Sequence, residues 1–319
     1  MKVAFLFPGQ GAQRVGMGAE LAREFAAARE AFNEADEALG FKLSKLCFEG
    51  PEEDLRLTAN TQPATLATSV AALRAFEAEY GVKAEIAAGH SLGEYTALVA
   101  AGALGFAAAL RAVRERGRLM QEACPAGQGS MAALIGLDLA AVREVCEQVS
   151  HDGQLAVPAN LNAPGQIVIA GHAAAVKRAI EIAKERGAGA SVELKVSAPF
   201  HSPLMQPART GMEPVIAALK VSAFSFGVIA NVTAEVNRDP ERVKPLLLEQ
   251  ITAPVRWEES MARLGASGAA SALEFGAGRV LAGLMRRINK GFKVRSVEDP
   301  ASLRASGQAL AEEAAAQGA

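Results

Sequence analysis

The segment Glu85-Ile86-Ala87-Ala88-Gly89-His90-Ser91-Leu92-Gly93-Glu94-Tyr95 joins a short apolar run to a Gly-x-Ser-x-Gly pattern and an Ala- and Leu-rich stretch. In such a segment the serine occupies a sharp turn between a strand and a helix, and the small flanking residues let the backbone pass closely. We therefore predict a strand over 85–88, a helix over 92–103 and a nucleophile, Ser91, between them. A bare five-residue pattern also recurs by chance, so its meaning depends on the rest of the chain.

Two further segments have compositions suited to the same chemistry. Residues 2–7 are predicted as a buried strand, and Pro8-Gly9-Gln10-Gly11-Ala12-Gln13 follows as a glycine-rich loop whose backbone N–H groups could bind an oxyanion. Near residue 200, Ser197-Ala198-Pro199-Phe200-His201-Ser202-Pro203 places a histidine between prolines. The prolines favour a loop, where His201 could serve as a base.

Taken together, these motifs carry a family resemblance that spans nearly the whole chain. Residues 7–11, residues 89–95, Arg116-Gly117 and residues 198–202 occur in the order found in malonyl-CoA:acyl carrier protein transacylase, and the chain resembles that family. The resemblance implies an α/β fold: an α/β-hydrolase-like large domain with a parallel sheet, and an inserted ferredoxin-like small domain.

The order of predicted elements supports the same division. Strands and helices alternate as far as about residue 122, which is typical of a parallel sheet covered by helices. Pro- and Gly-containing stretches near 124–129 and 197–199 enclose a segment predicted as β-α-β-β-α-β, the ferredoxin-like order. We predict a catalytic domain over 1–125 and 199–319, with the insert over 126–198 and the active-site cleft between the two units.

Bulk properties exclude several classes of protein. The 319 residues are 50% hydrophobic, with a formal net charge of −2, whereas nucleic-acid binders normally carry a basic excess. The apolar run near the N-terminus is too short for a signal-peptide core, and no uncharged apolar run is long enough to span a bilayer. Three cysteines without CxxC spacing are typical of buried thiols in a reducing compartment. We predict a cytoplasmic enzyme that binds neither membrane nor nucleic acid.

His201 is the predicted base among four histidines. His151 and His172 lie where surface or capping roles suffice, and His90 is adjacent to the nucleophile, where neighbouring side chains diverge. His90 could support the leaving group, and it is the alternative candidate for the base. The family resemblance also assigns the base to His201.

The group that orients the base is less clear from the residues. Hydrolases with this type of turn carry an acid between serine and histidine. Asp138 and Asp152 fall in that interval, but both lie in the predicted insert, and neither is convincing. The resemblance implies instead a backbone carbonyl, which maps to Gln250.

Arg116 gives the clue to substrate. On the helix predicted over 107–122, a step of about 100° per residue groups Arg111, Arg114 and Arg118 on a solvated face and turns Arg116 toward the apolar side. A buried charge is costly unless it is paired, so a structural ion pair is one interpretation. Near a nucleophilic serine, the guanidinium could instead hold a substrate carboxylate bidentately. The resemblance implies that Arg116 binds the free carboxylate of malonate.

Four further residues complete the predicted site. The backbone N–H groups of Gln10 and Leu92 are the candidate oxyanion donors, because the amide after the nucleophile is expected there. Phe200 and Met120 would shape the acyl pocket, although both could simply be core residues. The resemblance links a Phe immediately before the histidine to malonyl selectivity.

These expectations combine into one function. Ser91, activated by His201, would be malonylated by malonyl-CoA and would pass the group to the phosphopantetheine thiol of acyl carrier protein by a ping-pong route, with no cofactor or metal. A serine hydrolase would use the same turn, but with an acid and without a buried arginine. A non-catalytic carrier-binding subunit would not need Ser91, His201 and Arg116. The sequence does not distinguish a fatty acid from a polyketide pathway.

Overall fold

The computed structural model describes residues 2–125, 127–194, 196 and 198–318. Ala126 and Ser197, which belong to the two predicted linkers, lie outside these residues. So does Lys195, which falls within the last strand of the segment predicted as β-α-β-β-α-β.

The first sheet is mixed and has six strands. They are β1 (Val3–Phe7), β2 (Ile86–Gly89), β7 (Gly227–Ile229), β8 (Val236–Asn237), β9 (Ser271–Phe275) and β10 (Lys293–Val297). Their spatial order is β10-β9-β1-β2-β7-β8, and all neighbours are parallel except β7 and β8. The sequence predicts a parallel sheet, and the structure differs from this prediction in one short edge strand, β8, which is antiparallel. β1, β2 and β9 are buried throughout, as expected for central strands covered on both faces.

Twelve helices in the described chain accompany this sheet. They are α1 (Ala19–Glu24), α2 (Ala26–Leu39), α3 (Leu43–Glu49), α4 (Glu52–Arg56), α5 (Thr58–Tyr80), α6 (Leu92–Ala100), α7 (Phe106–Glu122), α10 (Gln206–Ala217), α11 (Pro240–Gln250), α12 (Trp257–Gly265), α13 (Val280–Ile288) and α14 (Pro300–Gly318). A single 3₁₀ turn, Pro203–Met205, precedes α10. Helix α5 is buried along most of its length, and α7 packs closely against it: a Cβ added at Gly117 would lie 2.4 Å from the Thr58 carbonyl oxygen.

The segment between α7 and α10 builds a second, antiparallel sheet. Its elements are β3 (Gly129–Ile135), α8 (Leu139–Val149), β4 (Ala156–Ala163), β5 (Gln166–His172), α9 (Ala173–Glu185) and β6 (Ala190–Glu193), and the strands lie in the order β4-β5-β3-β6. Apolar side chains of α8, α9 and the sheet form a separate core cluster. One parallel bridge, between Asn160 and Val255, connects β4 to the loop after α11.

Element boundaries differ from the predictions by a few residues. The sequence predicts a strand over 224–231, but only β7 forms there. It also predicts a turn over 162–165, which begins later because Asn162 and Ala163 still belong to β4. These differences reflect tertiary pairing, which decides where a strand stops. Cys47, Cys124 and Cys146 are buried free thiols, as predicted.

Candidate active site

Ser91 lies on a strained turn between β2 and α6. Its φ of 52° and ψ of −111° are unusual for a residue with a side chain. The turn is tight enough to require both glycines: a Cβ at Gly89 would lie 1.8 Å from the Gly93 carbonyl oxygen, and a Cβ at Gly93 would lie 2.2 Å from the Phe7 carbonyl oxygen. The packing of β1, β2 and α6 therefore fixes Ser91 at the carboxyl edge of the sheet.

His201 contacts Ser91 directly. The distance from Ser91 Oγ to His201 Nε2 is 2.8 Å, and His201 Nδ1 lies 2.8 Å from the backbone oxygen of Gln250. A carbonyl oxygen only accepts, so Nδ1 carries the proton and Nε2 is the acceptor for the serine hydroxyl. Burial, with the nearby Arg116 cation as a smaller cause, lowers the pKa of His201 to about 3. The imidazole is therefore a neutral base.

The other predicted candidates for base and acid lie elsewhere. Asp138 caps α8 by accepting from Ala141 N, and Asp152 is an exposed partner of His151. His172 accepts from Leu155 N within the second sheet. His90 is close to Ser91 in sequence, but its Nε2 lies 2.9 Å from Asn162 Oδ1, and burial lowers its pKa. Of the four histidines, His201 contacts the Ser91 hydroxyl.

Arg116 is 1% exposed and reaches Ser91 from α7. Its Nη2 donates to Ser91 Oγ at 3.1 Å and to Gln250 Oε1 at 2.9 Å, while Nη1 donates to Gln62 Oε1 at 2.8 Å. Its buried Nε has no hydrogen-bond partner among the described residues. Of the three arginines predicted on the solvated face, Arg111 and Arg118 are exposed, whereas Arg114 is half-buried, with its guanidinium carbon 4.2 Å from the centre of the Phe41 ring.

The side chains of Asn231 and Gln250 form a polar network beneath the turn. Asn231 Oδ1 accepts from Ser91 N at 2.7 Å, and its Nδ2 donates to the Gly89 oxygen at 2.7 Å. Gln250 Nε2 donates to the Ser91 oxygen at 3.0 Å and to Glu94 Oε2 at 2.8 Å. These contacts hold the turn from below.

Sequence reasoning missed Asn231, Gln62, the side chain of Gln250 and any role for Glu94. Asn231 does carry one available signal. It follows β7, the parallel neighbour of β2, and polar residues at the carboxyl ends of adjacent parallel strands converge on one site. Gln62 and the Gln250 side chain give no such signal, because they reach the site from two helices far apart in sequence.

A cavity of about 180 Å³ adjoins Ser91. Its lining includes every predicted site residue except Gln250, which lies beneath it: Gln10, His90, Ser91, Leu92, Arg116, Met120, Phe200 and His201. The segment between α7 and α10 contributes Met131, Asn160, Leu194 and Val196. The cavity therefore lies between the two sheets, and Met120 and Phe200 border it while being largely buried.

The described residues hold neither a cluster suited to a metal ion nor a helix suited to a bilayer. No group of His, Cys, Asp or Glu side chains in 2–125, 127–194, 196 and 198–318 is arranged to hold a metal ion. No helix in that part of the chain is both long and apolar enough to cross a membrane.

Comparison with known proteins places these residues in context. The model of the acyl transferase domain family matches residues 4–303. The chain is 49% identical to malonyl CoA-acyl carrier protein transacylase of Bacillus subtilis over 98% of both chains. It is similar to the crystal structure of acyl-carrier-protein-S-malonyltransferase from Bartonella henselae, with a TM-score of 0.94, 47% identity, and coverage of 98% of this chain and 100% of that one.

A second similar structure contains a partner. It is a type II PKS acyl-carrier protein in complex with its malonyl-transacylase, with a TM-score of 0.94, 42% identity, and coverage of 97% of this chain and 99% of that one.

Proposed function

The chain belongs to the acyl transferase domain family, and on that premise we propose that Ser91 and His201 transfer a malonyl group from malonyl-CoA to the phosphopantetheine thiol of acyl carrier protein. The observation that carries this proposal is the position of Arg116. A buried guanidinium 3.1 Å from the nucleophile is suited to an acyl group that ends in a carboxylate. The names of the similar proteins supply the two substrates.

The first half-reaction malonylates the serine. His201 Nε2 takes the proton from Ser91 Oγ as the oxygen attacks the thioester carbonyl carbon, giving a tetrahedral oxyanion. The carbon–sulfur bond then breaks, and the proton on His201 passes to the leaving CoA sulfur. The backbone oxygen of Gln250 stabilises the transient imidazolium through Nδ1–H. This carbonyl oxygen occupies the place that an acid takes in hydrolases, so the proposed mechanism uses no acidic triad member.

The second half-reaction reverses these steps with a different thiol. The phosphopantetheine thiol of the carrier gives its proton to His201 Nε2, its sulfur attacks the malonyl-serine ester, and the proton returns to Ser91 Oγ. Backbone N–H groups of Gln10 and Leu92 are proposed to stabilise the oxyanion in both halves. Their residues border the cavity beside Ser91, which supports this assignment.

Arg116 is proposed to hold the malonyl carboxylate. Its Nε has no hydrogen-bond partner among the described residues, so the guanidinium retains a donor beyond those that bond to protein. Met120 and Phe200 are proposed to enclose the methylene of the acyl group, and His90 to support the leaving-group side of the cavity. None of these roles requires a cofactor or a metal.

We also propose the finer architecture that the sequence predicts. The catalytic domain, over 1–125 and 199–319, is α/β-hydrolase-like, and the insert over 126–198 is ferredoxin-like. If β3, β4, β5 and β6 are numbered 1 to 4, their spatial order is 2-3-1-4. This order, with antiparallel neighbours, supports the ferredoxin-like assignment. A cytoplasmic location is proposed as well, and it is supported by three free thiols.

Intact-mass spectrometry after mixing the protein with malonyl-CoA, without carrier, tests the proposal. A covalent malonyl adduct is expected on the wild type and not on Ser91→Ala. Ser202→Ala is the matched control, because Ser202 is a buried serine next to the base whose hydroxyl donates to the Pro199 oxygen. The control should still acquire the adduct. An adduct on folded Ser91→Ala would refute Ser91 as the nucleophile.

A further inference from the structure

Glu94 is a buried carboxylate that the mechanism above does not use. It lies on α6 three residues after the nucleophile and is 3% exposed. A carboxylate buried to this extent costs free energy unless charged or polar groups compensate it. The groups that contact the Glu94 carboxylate therefore indicate its role.

One carboxylate oxygen makes both recorded contacts. Oε2 accepts from Gln250 Nε2 at 2.8 Å and from Asn231 N at 3.0 Å. On the other side of the same amide, Gln250 Oε1 accepts from Arg116 Nη2 at 2.9 Å. The Gln250 amide thus lies between a carboxylate and a guanidinium, with its donor toward the anion and its acceptor toward the cation.

Arg116 needs such a compensating charge. Within the described residues, no carboxylate is close enough to form a salt bridge with this buried guanidinium, and its side-chain partners there are Gln62, Ser91 and Gln250. Tyr95 adds its ring face, 5.8 Å from the guanidinium carbon. Electrostatic attraction still acts across one polarised amide, since a buried site is poorly screened.

We propose that Glu94 is the resident counter-charge of Arg116, acting through the Gln250 amide, and that the substrate carboxylate competes with it for the guanidinium. Glu94 is therefore a positioning residue that sets how tightly a carboxylated acyl group is held. This inference rests on the proposed binding of the malonyl carboxylate by Arg116.

The competition links malonyl binding to pH. Burial raises the pKa of Glu94 to about 7, against the lowering effects of Asn231 N, the Gln250 amide and Arg116. The titratable or charged groups that interact with it are Arg116 on α7 and Tyr95 on its own helix. His201, whose Nδ1 is hydrogen-bonded to the Gln250 backbone, has its pKa lowered far below this range. As pH falls through 7, Glu94 becomes neutral and competes less, so the substrate carboxylate should bind more tightly.

Glu94→Gln removes the charge and keeps the shape. Because both recorded hydrogen bonds reach one oxygen, a Gln carbonyl oxygen can accept both. We expect the ratio of kcat/KM for malonyl-CoA over acetyl-CoA to rise roughly 5- to 30-fold, through a lower KM for malonyl-CoA, as expected for removing a like charge several ångströms away. Effects on the His201 imidazolium act on both donors and cancel in the ratio. A purely structural role would lower both activities or leave the ratio unchanged.

Glu274→Gln is the matched control. Glu274 is also fully buried with its pKa raised by burial to about 7, but it accepts from Leu281 N and Ala282 N at the start of α13 and does not line the cavity. Its replacement should change the melting temperature and leave the malonyl-to-acetyl ratio as in the wild type.

The wild type supplies a second measurement, should Glu94→Gln fold poorly. Its malonyl-to-acetyl ratio should rise between pH 8 and pH 6, and in folded Glu94→Gln this rise should disappear. Titration of CoA itself cancels, because both donors carry it. A flat wild-type ratio, or an unchanged or lowered ratio in Glu94→Gln, overturns the inference. If Arg116→Ala keeps the wild-type malonyl preference, the proposed carboxylate binding itself fails, so the two failures are distinguishable.

Discussion

Arg116 Nη2 donates to Ser91 Oγ at 3.1 Å while the same oxygen lies 2.8 Å from His201 Nε2. Ser91 thus lies between a cation and a neutral imidazole. The cation contributes to the lowered pKa of His201, which weakens the base, and it also favours negative charge on the serine oxygen, so its two effects on proton transfer oppose each other. The serine hydroxyl and the proposed site for the acyl carboxylate therefore share one guanidinium.

Arg116→Ala should separate the two acyl donors. Loss of the guanidinium leaves the malonyl carboxylate to be desolvated alone, at a cost of roughly 3–5 kcal/mol, as for a broken buried ion pair. Malonyl transfer should collapse, whereas acetyl transfer, which involves no carboxylate, should hold steady or rise. Arg116→Lys should retain more malonyl transfer than Arg116→Ala but less than the wild type, because an ammonium cannot bind a carboxylate bidentately as a guanidinium does.

The matched control for that experiment lies on the same helix. Arg118 is exposed and forms ion pairs with Glu115 and Glu122, so Arg118→Ala should leave both donors nearly unaffected. Rates for malonyl-CoA and acetyl-CoA, measured side by side on folded variants, distinguish carboxylate binding by Arg116 from a structural role. Equal losses for both donors in Arg116→Ala, together with a lower melting temperature, would assign Arg116 a structural role.

His201→Ala should slow acylation of Ser91 by about 10²–10⁴-fold, the usual contribution of a general base. Single-turnover mixing with malonyl-CoA, followed by intact mass, measures this step without the carrier. His172→Ala is a suitable control, since His172 lies in the second sheet and accepts from Leu155 N. Acylation of His201→Ala at the wild-type rate would direct attention to His90 as the base.

The buried imidazole should also appear in the pH dependence of stability. The folded-state pKa of His201, about 3, lies below the unfolded value near 6.5, so below pH 6.5 the unfolded chain binds a proton that the folded chain does not. This destabilises the wild type by up to about 2 kcal/mol between pH 6.5 and 5. Urea unfolding at several pH values should show a shallower acid loss for His201→Gln than for the wild type. Parallel curves would contradict the lowered pKa.

The glycine after the nucleophile should not tolerate a side chain. In Gly93→Ala the new Cβ would lie 2.2 Å from the Phe7 oxygen, and backbone of both β1 and α6 would have to shift, at a cost of at least about 3 kcal/mol. Gly283→Ala, at an exposed position of α13 with no atom within 4 Å of the added Cβ, should instead stabilise the protein by about 0.5–1 kcal/mol. Thermal unfolding of the two variants tests the contrast, and a Gly93→Ala protein as stable as the wild type would contradict it.

The sequence by itself determined the local features of this protein. The strand–turn–helix around Ser91, the buried face of α7 that holds Arg116 and the β-α-β-β-α-β order could be predicted, because each depends on residue spacing within one short segment. The family resemblance added the role of the Gln250 carbonyl. A backbone acceptor leaves no side-chain signal, so spacing alone could not have found it.

Only the tertiary structure decided which distant groups meet at Ser91. Gln62, Asn231 and Gln250 come from α5, the segment after β7 and the end of α11, and of these three side chains only Asn231 carries a positional signal in the sequence. The sequence also does not identify the group that compensates the charge of Arg116. A buried charge requires a compensating group, but the sequence does not show which atom provides it. Hydrogen bonds that satisfy buried polar groups depend on how helices pack over the sheet, and this packing joins residues more than 100 positions apart.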